Sequence, residues 1–322
     1  MIERLSLDEW TAFDAAHPAP TFFARPPWAI SLSETFEGME PAPLRISAPG
    51  TQPLIVPLMR IRKAGVLRWR YYRGFPLGGY TCFLHEDGRL ATAVECDGAL
   101  EQLRRFADAI QIVPWPLAEQ PAKACGPLHE TSVVDLSRGI DAALAGVAGI
   151  FRRMAGQAER RGVVCEPSSA PDAVDVYYEL LEASAKRWGL EQPAIPKTLF
   201  ASLVQNGGQE VEVWFARAEG RAIGGGVVFY GATEFFFWSA AMLAEYGRLR
   251  PSNALNFALM RAAASRGMSW YNLGLSEGLP GVARFKDNLG ALEIPYREVL
   301  LQRTPYKMYA SVRRVLAGRT GA

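Results

Sequence analysis

Residues 211 to 241 constrain the fold more than any other stretch. They read as three consecutive strands: Val211 to Arg217, Ala222 to Tyr230 and Glu234 to Ala241. The third is apolar on both faces, with Phe235 and Phe237 opposite Phe236 and Trp238, so it must lie inside a sheet covered on both sides. The most apolar window, Ala222 to Leu243, carries Gly231, Thr233 and Glu234 at its middle. A membrane helix would place that carboxylate near the bilayer centre at a cost of roughly 3 kcal/mol. Two strands joined by a tight turn satisfy the pattern better. A helix from Asn253 to Arg266 follows, with Ser252 as the expected N-cap and Gly267 as the stop, and then a strand from Ser269 to Leu273.

Upstream, helical spacing of Leu144, Val147, Phe151, Met154 and Ala158 predicts one helix from Asp141 to Arg161. A short strand from Val163 to Glu166, a helix from Asp172 to Trp188 and a shorter helix from Pro196 to Val204 complete the approach to the three strands. Downstream, Arg297 to Leu301 is expected to continue the sheet and Thr304 to Leu316 to close the chain as a helix. The first part reads as a looser version of the same order. A helix starts at Pro26-Pro27 and runs through Phe36. Strands follow at Leu44 to Ala48, Pro53 to Arg62 and Val66 to Arg73, with a turn at Gly65, then a helix from Thr92 to Ala109 and a strand from Ser132 to Leu136. Three meandering strands followed by one crossover helix give an α+β, mixed-sheet plan, not a Rossmann fold or TIM barrel. The expected division is 1–136, with 302–322 packing back on it, and 137–301.

Composition narrows the function classes. The 322 residues carry 35 Lys+Arg against 33 Asp+Glu, a net charge of +2, and 49% are apolar. That is enough to build a core, which excludes a disordered chain, and too balanced for a histone-like nucleic-acid binder. Cys82, Cys96, Cys125 and Cys165 lie far apart without a C-x-x-C pair, so no metal site is expected and four reduced thiols are. The start MIERLSLDEW is charged, unlike a signal peptide, and a cytoplasmic location is the expectation.

Gly274-Leu275-Ser276-Glu277-Gly278 matches the nucleophile elbow G-x-S-x-G. Pro280 follows where a helix should start, and His17, His85 and His129 all lie upstream, so a serine hydrolase triad is rejected. Gly224 to Gly226 falls inside a strand, where glycine marks a bulge or close backbone approach. The turn Tyr246 to Asn253 joins a central strand to a helix N-terminus, which presents unpaired N–H groups to an anion. Arg248 and Arg250 would add bidentate donors there, beside Ser252 and Asn253. Phe285-Lys286 follows the strand Tyr271 to Gly274, where a lysine could stabilise phosphate or a developing oxyanion.

Residues 253 to 291, NALNFALMRAAASRGMSWYNLGLSEGLPGVARFKDNLGA, resemble the signature end of FemAB-like proteins of the GNAT superfamily, including those with BioF2-like acetyltransferase domains. The residues that carry the resemblance are the helix end Ala263 to Gly267, the strand Tyr271-Asn272-Leu273-Gly274, a glycine-rich loop (Gly278 to Gly281) and F-K-x-x-x-G (Phe285 to Gly290). The resemblance implies two tandem GNAT-like domains and transfer of an acyl or aminoacyl group from an activated donor to an acceptor amine. It implies a phosphate-contacting, charge-stabilising role for Lys286. The donor is expected to be acyl-CoA or aminoacyl-tRNA. Arg248-Leu249-Arg250-Pro251-Ser252-Asn253 lacks the glycines usual in coenzyme A users. Glu245 and Glu277 are the candidate bases, with Tyr271 a third.

Arg60, Arg62, Lys63, Arg68, Arg70 and Arg73 form one run without an acid, and residues 303 to 322 hold Arg303, Lys307, Arg313, Arg314 and Arg319, again without one. Brought together they would form a basic face for tRNA, nucleotide phosphates or an anionic membrane surface. The expected partners are a small-molecule or peptide amine and tRNA, without stable membrane insertion. A non-catalytic module binding phosphate or RNA is the reading from another class.

Overall fold

The computed structural model describes residues 1–47, 52–62, 69–276 and 278–319. The chain forms two compact units, one of residues 1–19, 23–129 and 295–322, the other of residues 20–22 and 130–294. It crosses between them at 19/20, 22/23, 129/130 and 294/295.

The first unit contains β1 (Ile2–Arg4), α1 (Leu7–Ala16), α2 (Pro26–Thr35), β2 (Met39–Pro41), β3 (Leu44–Ile46), β4 (Leu54–Val56), β5 (Met59–Ile61), β6 (Tyr71–Arg73), β7 (Leu84–His85), α3 (Ala93–Phe106) and β8 (Ala109–Ile112). The chain then passes through β9 (Leu128–Asp135) into the second unit: α4 (Ile140–Gly146), α5 (Gly149–Arg160), β10 (Val164–Ser168), α6 (Ala173–Arg187), α7 (Lys197–Gly207), β11 (Val211–Ala218), β12 (Arg221–Tyr230), β13 (Glu234–Met242), α8 (Pro251–Ser265), β14 (Trp270–Asn272), α9 (Pro280–Asn288) and β15 (Leu292–Arg297). It returns through β16 (Val299–Gln302) and α10 (Thr304–Arg319). The class is mixed α/β, as the strand and helix order required.

In the first unit a five-stranded sheet runs β16-β8-β6-β5-β2 and a four-stranded one β1-β3-β4-β7. Thr92 caps α3 in a capping box with Glu95, and Leu100 and Leu103 pack on Tyr72, Ile110, Ile112 and Val299. Two sequence expectations change here. The helix expected to reach Ala109 stops at Phe106, and Ala109 begins β8, a short buried strand that periodicity could not separate from the helix. The segment 297–301 belongs to two strands, and β16 pairs with β8, so it does not continue the sheet of the three meandering strands. The turn expected at Gly65 and the start of its strand at Val66 lie outside the described residues.

In the second unit the sheet order is β10-β11-β12-β13-β14-β9-β15. β13 is internal, and Phe235 and Phe236 are both buried. The single helix expected over 141–161 is two, because Val147 and Ala148 break it. The Ala148 N–H donates to the Asn288 carbonyl at 2.9 Å instead of continuing the helix. Gly290, at φ +78°, allows this approach, since a Cβ there would stand 3.0 Å from the Gly146 backbone.

The glycine triplet on β12 serves close packing. A Cβ on Gly225 would lie 2.7 Å from the Trp214 carbonyl, and one on Gly226 would lie 2.1 Å from the Phe237 ring. We expect Gly225→Ala to cost about 1–3 kcal/mol, because a backbone atom opposes it. Urea unfolding that shows no change would remove the contact from the account.

All four cysteines are free thiols. Burial pushes the Cys96 and Cys165 thiols up to about 12, and Cys82 is buried while Cys125 is exposed. Iodoacetamide at pH 8 should therefore modify the native protein once, at Cys125, as read by peptide mass mapping. No described helix is long and apolar enough to cross a membrane.

Candidate active site

β13 and β14 run parallel but pair only over Glu234–Phe236 and Trp270–Asn272. Beyond that point β13 continues against β12 to Met242, while the chain leaves β14 at Leu273. The sheet therefore splits, and the gap opens into a cavity of about 450 Å³. Its walls come from β13 (Phe237, Trp238, Ala240), α8 (Ser252, Leu255, Asn256), the exit of β14 (Leu273, Leu275), α9 (Val282, Phe285, Lys286) and the end of α6 (Arg187, Trp188).

The exposed edge of β13 has a definite polarity. Leu243 N–H donates to the Ile223 carbonyl, and the register places Ala241 opposite Gly225 and Ala240 opposite Gly226. In an antiparallel ladder backbone groups alternate sides, so those of Leu243 and Ala241 face β12, and those of Met242 and Ala240 face away from it. Met242 shows this directly: its N–H donates to Ser184 Oγ at 3.3 Å, and its carbonyl accepts from Arg187 Nη1 at 2.9 Å. Ala240 is exposed and lines the cavity, so its amide points into the opening.

The floor of the split is polar and buried. Thr131 Oγ1 donates to Asn272 Oδ1 at 2.7 Å, Asn272 Nδ2 donates to Glu234 Oε1 at 2.7 Å, and the Gly274 N–H donates to Asn272 Oδ1 at 2.8 Å. Thr131 and Asn272 are fully buried. This net fixes the direction in which the chain leaves β14, and so the width of the opening.

The structure places the sequence candidates differently from one another. Lys286 lines the cavity and is 6% exposed, with Nζ donating to the Gly274 carbonyl at 2.8 Å and the Leu275 carbonyl at 2.7 Å. It ties α9 to the exit of β14. Phe285 lines the cavity and leans on Phe151, ring centroids 5.0 Å apart. Ser252 also lines it but is not the N-cap. Arg250 takes that position at φ +60°, ψ +41°, and the Ser252 hydroxyl donates to Met242 Sδ at 2.7 Å. A left-handed non-glycine residue at the cap displaced the expected serine by two positions, with Pro251 as the first helical residue.

Tyr271 is not placed to act as a base. It is buried, burial raises its pKa well above the usual value, and its hydroxyl donates to Asn256 Oδ1 at 2.7 Å. Asn256 in turn lines the cavity and donates from Nδ2 to the Ser252 carbonyl at 2.9 Å. Asn253 is buried and stands outside the cavity wall. Glu245, Arg248 and Arg250 are exposed on the turn before α8 and do not line the cavity. Arg161 joins them, its Nη1 donating to the Arg248 carbonyl at 2.5 Å. Glu277 lies outside the described residues.

Sequence reasoning missed Arg187, Trp188, Leu255 and Asn256. Arg187-Trp188 closes α6, where the guanidinium lies 5.6 Å from the Trp188 ring centroid. Its sequence signal was the run Lys186-Arg187-Trp188-Gly189, which fits the family resemblance but was given no site role. Among the described lining residues the charged groups are Arg187 and Lys286, and none is a carboxylate or a histidine. No described cluster of three or more His, Cys, Asp or Glu could hold a metal.

Residues 148–287, all within the second unit, match the family model for the acetyltransferase (GNAT) domain. The chain superposes on the crystal structure of FemX with a TM-score of 0.69 at 14% identity, covering 96% of this chain and 99% of that one. It matches the C-terminal DUF2156 domain of an Agrobacterium fabrum protein with a TM-score of 0.57 at 15% identity, covering 96% and 95%. It matches L-PGS from Bacillus licheniformis with a TM-score of 0.50 at 12% identity, covering 97% and 96%. At these identities the likeness is one of fold. No curated protein matches the sequence significantly.

Proposed function

We propose that the split between β13 and β14, within the segment 148–287 that matches the GNAT acetyltransferase domain model, holds the acyl end of an activated thioester, acyl-CoA, and delivers it to an amine. The observation that carries this reading is the Ala240 amide, aimed into an apolar cavity from a strand edge without a partner strand. An amide fixed there donates to the thioester carbonyl and strengthens as negative charge develops on that oxygen. The amine nitrogen attacks the carbonyl carbon, the new C–N bond forms, the C–S bond breaks, and the thiolate leaves. The amine's proton passes to water, since none of the described lining residues is a carboxylate or a histidine. Arg187 and Lys286 add positive potential near the reacting carbonyl.

Two features favour an acyl over an aminoacyl donor. The walls are mostly Phe, Trp, Leu and Val, and none of the described lining residues is an acid that would pair with an α-ammonium group. At roughly 30 Å³ per water, 450 Å³ equals about fifteen waters, room for a thioester and several methylenes. Arg161, Arg248 and Arg250 beside the N-terminus of α8 suit the donor's phosphates. The left-handed turn that glycine usually supplies is made here by Arg250.

Calorimetry with free coenzyme A and acetyl-, butyryl- and octanoyl-CoA, with bulk aminoacylated tRNA in parallel, tests the donor. The expected result is micromolar binding of the thioesters, tightening about fourfold per added methylene until the cavity is full. Binding of charged tRNA alone would overturn the acyl-CoA reading and point to aminoacyl transfer. The same proton argument makes a pH prediction. Turnover should rise with pH in step with the free-amine fraction of the acceptor and show no separate enzyme base. A second limb abolished by Glu277→Gln would assign that residue as the base.

A further inference from the structure

Arg187 and Trp188 bring the end of α6 into the cavity wall. Three hydrogen bonds fasten this helix to β13. Tyr177 donates to Ser239 Oγ at 2.7 Å, the Met242 N–H donates to Ser184 Oγ at 3.3 Å, and Arg187 Nη1 donates to the Met242 carbonyl at 2.9 Å. A guanidinium carries five N–H groups, and this bond uses one of them. Arg187 has no carboxylate within ion-pair distance among the described residues. The rest of its fork is open to a ligand in the cavity. Trp188, beside it, is 57% exposed, although tryptophan is highly buried on average. Val282 of α9 adds a second exposed apolar group to the same cavity.

Charge decides what kind of amine can enter. The charged groups among the described lining residues are two cations, Arg187 and Lys286. A plain alkylamine is an ammonium ion near neutral pH, and both cations repel it. An amine that carries its own carboxylate brings the compensating charge, and arginine holds a planar carboxylate through two parallel bonds. One guanidinium set against an indole suits the single charge of a carboxylate; a phosphate, with nearly two charges, draws more donors. The spacing is short as well. Met242 and Ala240 share one edge of β13 and stand two residues apart, which is about 6–7 Å along a strand. An anion on Arg187 is therefore a few bonds from an amine that faces the carbonyl at Ala240, the span of an amino acid.

We infer that the acceptor is a free amino acid with an apolar side chain. Arg187 binds its carboxylate, Trp188 and Val282 cover its side chain, and its α-nitrogen faces the thioester. That nitrogen forms the C–N bond as the C–S bond breaks, the thiolate leaves, the amine's proton goes to water, and the product is an N-acyl amino acid. The transfer rests on the acyl-CoA reading of the split; the acceptor subsite is tested apart from it.

Calorimetry with and without free coenzyme A compares L-phenylalanine with 2-phenylethylamine, which lacks only the carboxylate, and with glycine, which lacks the ring. Phenylalanine should bind at least tenfold more tightly than either. With acetyl-CoA present, thiol release should follow the same order in kcat/KM. Arg187→Met should bring phenylalanine down to the level of phenylethylamine, and Arg187→Lys should recover part of the loss. Trp188→Ala should remove the advantage over glycine. Both side chains are exposed, so thermal melting should show each variant folded. Absence of phenylalanine binding, equal binding of phenylalanine and phenylethylamine, or tighter binding of O-phosphoethanolamine than of phenylalanine would overturn the proposal. Phenylalanine binding that depends on Arg187, in a protein that binds no acyl-CoA, would leave the acceptor subsite standing and overturn the donor reading instead.

Discussion

Ala240→Pro is expected to lower kcat by about 10²–10³-fold, the usual loss when one fixed donor to a developing oxyanion is removed. The substitution removes one N–H and little else. The Ala240 amide faces away from β12, so the ladder that holds β13 in the sheet keeps its bonds. Proline is tolerated on such an unpaired edge, and chemical denaturation should show a loss of under about 2 kcal/mol. KM for the donor should change little, because the apolar walls remain. A fall in stability matching the fall in rate would mean that the strand had been disrupted. Unchanged kcat in a folded variant would place the carbonyl elsewhere and remove the Ala240 amide from the mechanism.

Lys286→Ala should destabilise the second unit by about 2–4 kcal/mol. The Lys286 ammonium is buried and satisfies the carbonyls of Gly274 and Leu275, and each buried acceptor left without a donor costs about 1–3 kcal/mol. Turnover should fall as well, because Leu273 and Leu275 line the cavity and their backbone loses its tether. Lys286→Met separates the two effects, since it keeps the aliphatic stem and removes only the donors. The methionine variant should lose as much activity as the alanine variant with part of the stability regained. The motif alone points to a charge-stabilising Lys286, and the two carbonyl bonds add a structural role beside it. A stable, inactive Lys286→Ala protein would restore a direct role for the charge.

Much of the second unit was legible because its signals were long. The doubly apolar β13, the helix stop at Gly267 and the strand after it were all readable from 2.0 and 3.6 periodicities and from glycine. The break between α4 and α5 was not, because it depends on a carbonyl of Asn288 more than a hundred residues away. β8 was lost for the opposite reason: a strand of four residues directly after a helix carries too short a pattern. At the site, Lys286, Phe285 and Ser252 were found from a motif. Arg187 and Trp188 come from a different element, and nothing in a linear reading brings the end of α6 to the edge of β13. Ala240 could not be found at all, since its contribution is a backbone amide and any side chain would supply it.

That last point bears on how such a protein can change. The group proposed to meet the reacting carbonyl is written into a strand's direction and into three pairs of residues that stop pairing early. Substitution can redraw Leu255, Leu273 or Trp238 without touching it. Chemistry and selectivity are then separable properties of one opening: the first is inherited with the backbone, and the second is free to drift with each wall residue. A lineage built this way can exchange one acyl group or acceptor for another in single steps while its sequences diverge beyond recognition.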